Sequence, residues 1–245
     1  MQKFFVNDEQ IKGDRIEIIG TDVNHIINVL RMRKEDKVQI NNTSTSENYI
    51  AEIIEYGSEN IICKIIEKIA SKSETNVDVE IFQGLPKADK MELIIQKTTE
   101  IGVKKIIPVA MERSIVKLDE KDAIKKIERW QKIAEVAAKQ SKRDIIPKIE
   151  NVTKITDIYS KIADYDLFIV AYEEENILTL KEVLRSNIKT KKIGVLVGPE
   201  GGIDITEVQK LRENGAIVVT LGNRILRTET APIVLASNII YELEK

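Results

Sequence analysis

Apolar residues come in short bursts along the first part of the chain, separated by turn residues such as Gly13, Gly20 and Gly57. Short apolar runs at this spacing are typical of strands in a small β-rich domain, and they favour a barrel. One helix is expected over residues 22–32. The predicted strands are 4–6, 15–19, 37–40, 49–54 and 61–66.

A polar stretch at residues 71–76 lacks periodicity and is typical of a linker. Beyond it, strand patterns alternate with helix patterns, which predicts an α/β domain with a mostly parallel sheet covered on both faces. Gly102 stands where a helix should end, and Pro232 suits the first turn of the last helix. We therefore expect two domains, residues 1–72 and 73–245. The predicted strands are 77–82, 105–109, 167–171, 193–197 and 216–221, and the predicted helices are 91–101, 120–142, 178–185, 204–214 and 232–243.

Composition narrows the classes of protein that this chain can belong to. Among 245 residues, 38 Lys and Arg oppose 40 Asp and Glu, so the formal charge of −2 excludes a chain coated with positive charge but allows a local basic face. The single cysteine, Cys63, cannot form an internal disulfide or a Cys-rich zinc site. With His25 as the sole histidine, we expect neither a His-dependent triad nor a metal.

The hydropathy of the chain also indicates where in the cell the protein is expected. No apolar run approaches the roughly 20 residues that span a bilayer, and the N-terminus turns acidic before a signal region could form. We expect a cytoplasmic protein that does not enter membranes.

A glycine-rich segment follows the predicted strand 193–197, and in α/β sheets such strand-to-helix loops bind ligands. It reads Gly198-Pro199-Glu200-Gly201-Gly202, and neither a Walker A sequence nor G-x-G-x-x-G is present. The glycines would allow close approach of another molecule, while Glu200 would repel a phosphate and tolerate a neutral or cationic ligand. A plain tight turn before a helix is the alternative interpretation. Asp204 and Glu207 form a D-x-x-E variant of a helix capping box.

A second polar segment, residues 221–232, follows the predicted strand 216–221. It holds Arg224, Arg227 and Glu229 and places the apolar pair Ile225-Leu226 between its arginines. Polar loops on rigid scaffolds commonly carry functional sites, whereas packing against a dimer partner would explain the apolar pair equally well.

The long helix and its exit are basic, with eight Lys or Arg against three acids between residues 121 and 143. A solvated charged face is the simpler interpretation, but such a face also suits an RNA backbone. Arg31 and Arg33 in the first domain could track a backbone in the same way.

The two loops together resemble the signature loops of the RsmE-type 16S ribosomal RNA (uracil-N3)-methyltransferases, which belong to the SPOUT class. The resemblance extends over nearly the whole chain. The family usually has glycine where Lys142 stands and Phe or Leu where Ile203 stands. The further matching segments are Lys3-Phe4-Phe5-Val6, His25 with Val29-Leu30-Arg31, residues 87–102, Arg113-Ser114, Arg129-Trp130 and residues 138–143.

This resemblance implies a SPOUT-type parallel sheet with a trefoil knot near the C-terminus, preceded by a PUA-like β-barrel that helps to hold RNA. It further implies a homodimer that binds S-adenosyl-L-methionine in the knot and acts on 16S ribosomal RNA in the 30S subunit, with the RNA site completed across subunits. The cationic sulfonium of this cofactor agrees with a glycine loop that contains Glu200.

The resemblance also implies roles for particular residues. N3 of uracil carries a proton that must be lost or shared before methyl transfer, which calls for a cation near O2 or O4 or a base near N3. Arg227 is the expected cation and Glu229 a weaker candidate base, while His25 is expected to be structural or to touch RNA. The expected RNA contacts are Lys3, Arg31, Arg33, Arg113, Gln140 and Arg143. The expected cofactor-binding residues are Gly198, Pro199, Glu200, Gly201, Gly202, Leu221, Gly222, Arg224, Ile225, Leu226 and Thr230.

Three other functions stay open at this point. The chain could be an RNA-binding protein without activity, an α/β enzyme with a different nucleotide cofactor, or a SPOUT enzyme that methylates another base or position. The intact loop at residues 221–232 argues against an RNA-binding protein without activity. The missing phosphate-binding loops argue against a different nucleotide cofactor.

Overall fold

The computed structural model describes residues 1–71 and 73–244. These residues form two compact units: an N-terminal unit, Met1–Glu74 with Lys139–Ile145, and a C-terminal unit, Thr75–Ala138 with Ile146–Lys245. The domain boundary expected after Lys72 falls on a residue outside the described ones, so it stays a prediction. The sequence pattern did not predict that residues 139–145 group with the N-terminal unit.

The N-terminal unit contains one mixed six-stranded sheet in the order β1-β4-β5-β6-β3-β2. The β1 strand runs parallel to β4, and the other neighbours are antiparallel. Among the described residues, strand pairing runs along this order from β1 to β2, in the β-rich domain that the sequence predicted. The strands are β1 (Lys3–Val6), β2 (Ile11–Lys12), β3 (Arg15–Ile19), β4 (Lys37–Asn42), β5 (Asn48–Tyr56) and β6 (Asn60–Ile69).

Buried apolar residues alternate with outward-facing residues along these strands, and the buried side chains form a single core. Ile16 and Ile18 of β3 are buried together with Phe4 of β1 and Ile53 of β5, while the residues between them face outward. Two register shifts in the β5–β6 pair bend the sheet, which lets strands near its opposite ends share that core.

The predicted helix at residues 22–32 is shorter than expected. It begins as α1 (Thr21–Asn24), continues as a π-helical stretch (His25–Val29) and ends there. Arg31 has φ +53°, a left-handed conformation that a right-handed helix cannot contain. The prediction that this helix extends to residue 32 is therefore wrong.

Ion pairs hold residues 139–145 within the N-terminal unit. The Lys3 ammonium pairs with Asp144, Arg143 pairs with Glu74, and Lys139 pairs with Asp22. Burial alone would raise the pKa of Asp144, but hydrogen bonds from Lys3 and Ser71 hold it below its usual value.

The C-terminal unit contains a parallel sheet in the order β10-β8-β7-β12-β11-β13, with β9 also paired to β8. Its strands are β7 (Asp78–Gly84), β8 (Lys105–Ala110), β9 (Lys148–Ile149), β10 (Thr153–Lys154), β11 (Leu167–Ala171), β12 (Lys192–Val197) and β13 (Ile217–Val219). The helices are α2 (Lys90–Ile101), α3 (Glu120–Gln140, which ends in the N-terminal unit), α4 (Leu180–Ser186), α5 (Ile205–Glu213) and α6 (Ala231–Leu243). These elements confirm the predicted α/β class.

Both faces of this sheet are covered. Val195 of β12 packs into one core with Leu235 of α6, and the next residue, Leu196, packs into a second core with Leu211 of α5. The expected helix ends are also confirmed, since α2 stops before Gly102 at φ +123° and Asp204 caps α5 with Glu207. Strands β2, β9 and β10 have two residues each, too few for a periodic pattern.

Within the described residues, no helix has both the length and the apolar character needed to cross a membrane. In the same part of the chain no group of three or more His, Cys, Asp or Glu side chains could hold a metal ion.

Candidate active site

A cavity of about 650 Å³ lies at the carboxyl ends of β11, β12 and β13, the edge where parallel α/β sheets bind ligands. This volume falls within the roughly 300–1,000 Å³ of small-molecule sites. Four chain segments form its wall. They are Lys90 at the start of α2, residues 171–173, 175 and 176 at and after the end of β11, residues 197–200 and 202 at and after the end of β12, and residues 220–228 with Ala231 after β13.

The first glycine loop is held by contacts within the protein. Gly202 has φ +71°, and a Cβ there would overlap the Glu173 carboxylate. A Cβ at Gly201 would lie 3.1 Å from the Cβ of Arg113, whose guanidinium donates to the Gly201 carbonyl at 3.3 Å. Of the residues expected to bind the cofactor, Gly198, Pro199, Glu200 and Gly202 line the cavity, whereas Gly201 packs against Arg113 and does not line it.

Glu200 joins the glycine loop to the loop before α2. Its Oε1 accepts hydrogen bonds from the Lys87 backbone N–H at 3.0 Å and from the Lys90 ammonium at 2.9 Å. Burial would raise the pKa of Glu200, but the hydrogen bonds from Lys90 and from the backbone lower it. Glu200 is therefore a charged cross-link between two loops as well as part of the wall.

The second loop brings two guanidinium groups to the cavity. Arg224 and Arg227 are exposed wall residues, and neither side chain has a polar partner among residues 1–71 and 73–244. Between the expected catalytic residues, Thr228 is buried and its hydroxyl donates to the Gly198 carbonyl at 2.7 Å. Four more residues that were expected to bind the cofactor also line the cavity: Leu221, Gly222, Ile225 and Leu226.

Glu229 and Thr230 lie just outside the wall. The Glu229 carboxylate is 3.4 Å from the Lys90 ammonium, so it has a charge partner inside the protein. Thr230 is the residue before α6, and its backbone N–H donates to the Arg227 carbonyl. The structure thus gives Thr230 a role in starting the helix, and it does not bring this residue to the cavity.

The six expected RNA contacts separate into two groups. Lys3 and Arg143 are buried, with side chains 5% and 3% exposed, and their internal ion pairs do not present them to a ligand. Arg113 is exposed, but it also has partners inside the protein, since it donates to the Gly201 carbonyl and pairs with Asp204 at 3.3 Å. The remaining three, Arg31, Arg33 and Gln140, are exposed.

His25 is exposed in the N-terminal unit, where its ring contacts the edge of Phe4. It lies outside the cavity wall, which agrees with its expected non-catalytic role.

Four residues at the site carried no prediction of their own. Gln83 ends a strand that reads as ordinary core, Lys90 begins a helix, and Glu173 follows β11 in an acidic run. The position of each after or at the end of a parallel strand was the available signal. Thr228 lies within the second loop, but its buried position was not predictable from its polarity.

The wall can hold a ligand with both apolar and charged parts. Val197, Leu221 and Leu226 supply apolar surface, and the exposed Glu173 carboxylate has no hydrogen-bond or ion-pair partner within the described part of the chain. The carboxylate suits a ligand that carries positive charge. The guanidinium groups on the same wall suit a second reactant on which negative charge develops during the reaction.

Comparison with known proteins agrees with this geometry. A family model described as an RNA methyltransferase domain matches residues 73–240, and one described as an RNA methyltransferase PUA domain matches residues 13–66. The second match confirms the PUA-like character of the N-terminal domain.

Relatives match along their whole length. The Bacillus subtilis ribosomal RNA small subunit methyltransferase E is 38% identical, over 100% of this chain and 98% of its own. The enzyme of that name from Mesomycoplasma hyopneumoniae is 31% identical, over 99% and 100%. A crystal structure of the Neisseria gonorrhoeae enzyme bound to S-adenosyl methionine is 28% identical with a TM-score of 0.85, over 98% and 96%. The chain therefore belongs to the ribosomal RNA small subunit methyltransferase E family.

Proposed function

We propose that this protein transfers a methyl group from S-adenosyl-L-methionine to N3 of a specific uridine in 16S ribosomal RNA of the small ribosomal subunit. The observation that carries the proposal is the cavity at the carboxyl ends of β11–β13. One wall of it holds the Glu173 carboxylate and the Arg227 guanidinium, neither of which has a polar partner among the described residues. Membership of the family and the cofactor bound to the Neisseria gonorrhoeae relative support it.

The cavity fits the cofactor in size and charge. S-adenosyl-L-methionine has an apolar adenine face, a cationic sulfonium and an amino acid end, and it supplies an electrophilic methyl group when bound. Val197, Leu221 and Leu226 would contact its apolar parts, and Glu173 would balance its positive charge. Gly198, Gly222 and Ile225 would contribute backbone contacts, because they line the same wall.

Arg227 is the residue we assign to the uridine. The N3 proton passes to solvent water, which leaves negative charge on the uracil oxygens, and a guanidinium held beside O2 or O4 stabilises that charge. The Arg227 side chain lines the cavity and has no competing partner among the described residues, so it is available for this contact. Orientation of the two reactants supplies much of the remaining rate enhancement.

Glu229 fits a supporting role better than that of a base. Its carboxylate lies against the Lys90 ammonium, which also binds Glu200. A base must reach the proton that it takes, and Glu229 does not line the cavity. We therefore infer that Glu229 orients Lys90 and the loop before α2.

RNA contacts come from exposed cations in each unit. In the N-terminal unit Arg31 and Arg33 are exposed. In the C-terminal unit one exposed side of α3 carries a row of positive charges, of which Arg129 also pairs with Glu92. Such surfaces bind a phosphate backbone without reading its sequence. The exposed cations of α3 in this unit are Lys121, Lys125, Lys126, Arg129 and Lys132.

We further infer that the protein works in the cytoplasm as a homodimer and that the α/β domain contains the trefoil knot of its class. The reaction requires ribosomal RNA, which places it with the ribosome. A dimer interface would cover exposed apolar side chains such as Val136 of α3 and Tyr241 of α6, which are 67% and 85% exposed.

A methyl-transfer assay tests the proposal and defines the form of the substrate. Labelled S-adenosyl-L-methionine is incubated with the protein and with either 30S subunits or bare 16S RNA that lack the modification. We expect transfer to small-subunit RNA, with 30S subunits preferred. Cofactor binding without transfer to either RNA would contradict the substrate, and absence of cofactor binding would favour an RNA-binding protein without activity.

A further inference from the structure

A buried glutamine connects the central strand of the sheet to both loops of the cavity. Gln83 lies at the end of β7 and is fully buried. Its Nε2 donates to the Thr228 hydroxyl at 3.0 Å and lies 3.4 Å from the Gly198 carbonyl. Thr228 donates in turn to that same carbonyl. One hydrogen-bond network therefore joins residues 83, 198 and 228.

The neighbourhood fixes which way the Gln83 amide points. Nε2 also donates to the Gly84 carbonyl at 3.0 Å, so three oxygen atoms surround it. Rotating the amide would place its own oxygen against these acceptors, which is unfavourable. In the fixed orientation Oε1 is buried and has no hydrogen-bond partner among the described residues.

This arrangement gives little net stability, because a buried oxygen without a partner carries a desolvation cost that a methionine or leucine would not. The network instead determines where two loops lie. The adjoining backbone is equally constrained, since a Cβ on Gly84 would come within 2.7 Å of the Pro199 nitrogen. The Gln83 amide joins the strand to both loops, and the Thr228 hydroxyl joins the two loops to each other.

We propose that Gln83, through Thr228, is a positioning residue for methyl transfer: it fixes the backbone that carries Arg227 and holds the Gly198 carbonyl in the opposite loop. The proposal rests on the proposed function of Arg227. That side chain has no polar partner of its own in the described chain, so its placement depends on the neighbouring anchored residue, Thr228.

The test compares variants that remove the network without adding bulk. Gln83→Met keeps the length of the side chain but has no donor, and Thr228→Val removes the hydroxyl, while Thr228→Ser retains it. Thr98→Val is a matched control, because Thr98 is also fully buried and its hydroxyl donates within α2, to the Ile94 carbonyl. The measurements are kcat, the cofactor Kd by calorimetry, the unfolding temperature, and hydrogen exchange of the Thr230 and Ala231 amides.

We expect Gln83→Met and Thr228→Val each to lower kcat by about tenfold or more, corresponding to about 1.4 kcal/mol. The unfolding temperature should stay within a few degrees of the wild type, and the cofactor Kd should change less than kcat. Thr228→Ser should restore most of the activity, Thr98→Val should retain it, and the double variant should lose little more than the worse single variant.

Wild-type kcat in Gln83→Met would overturn the proposal, as would a loss of activity that only follows a loss of folding. Independent, additive effects of the two substitutions would also contradict it. If the wild type methylates no RNA, the proposed function fails separately. Hydrogen exchange then still decides the positioning role, since faster exchange at Thr230 and Ala231 is expected in Gln83→Met and unchanged exchange would refute it.

Discussion

Replacing Arg227 by alanine should remove activity and leave folding intact. The side chain is exposed, lines the cavity and has no polar partner in residues 1–71 and 73–244, so we expect the free energy of unfolding to change by less than about 0.5 kcal/mol. Loss of one preorganised donor at a developing oxyanion costs roughly 2.7–4 kcal/mol. The turnover number should therefore fall about 100- to 1,000-fold, with a change of less than about threefold in cofactor Kd.

Single-turnover methyl transfer to unmodified 30S subunits measures the chemical step, and calorimetry measures cofactor binding. Arg227→Lys keeps the charge but loses the planar fork, so its activity should lie between the wild type and alanine. Arg185→Ala is the control, because that exposed arginine pairs with Glu242 between α4 and α6 and lies outside the cavity wall. Equal losses of turnover and cofactor affinity in Arg227→Ala would refute the catalytic role.

Four further substitutions test other parts of the structure. Lys3→Met should lower the free energy of unfolding by about 3–5 kcal/mol in a urea titration, because it leaves the Asp144 carboxylate buried without its ammonium; a change below 1 kcal/mol would contradict the pair. The lowered pKa of Asp144 stabilises the wild type fully above the unfolded pKa of about 4, and this stabilisation is lost as pH falls further; Asp144→Asn should flatten that acid dependence. Lys142→Gly should raise stability by up to about 1 kcal/mol, since Lys142 has φ +58°, and a loss would show that its side chain matters more than its backbone. Lys90→Met should weaken cofactor binding about tenfold by calorimetry, because Glu200 loses a charge-assisted hydrogen bond; unchanged binding would exclude that link.

Most of the fold was predictable from the sequence because it depends on local patterns. Short runs of apolar residues predicted the longer strands, and apolar residues at helical spacing predicted α2 to α6. Gly102 and Asp204 marked helix ends that the structure confirms. The end of the first helix at Val29 was not predictable. Left-handed backbone is usually occupied by glycine, but here it is occupied by Arg31. Lys142 also adopts that backbone, which explains why the family usually has glycine there.

The site was predictable as two loops but not as a network of side chains. Loop position after a parallel strand identified residues 198–202 and 221–231, most of which line the cavity. Contacts between distant segments were hidden, such as Lys90 with Glu200 and Gln83 with Thr228. Positive charge alone was a poor guide to RNA contacts. Lys3 and Arg143 are cationic, yet their side chains lie in buried ion pairs.

The position of the new methyl group on the RNA tests the central claim most directly. The protein is incubated with S-adenosyl-L-methionine and unmodified 30S subunits, and the nucleosides of the digested 16S RNA are separated and identified by mass spectrometry against standards. The proposed function predicts 3-methyluridine at a single nucleotide, formed about 100- to 1,000-fold more slowly when Arg227 is replaced by alanine. A methyl group on another atom, on another base or on the ribose would contradict it.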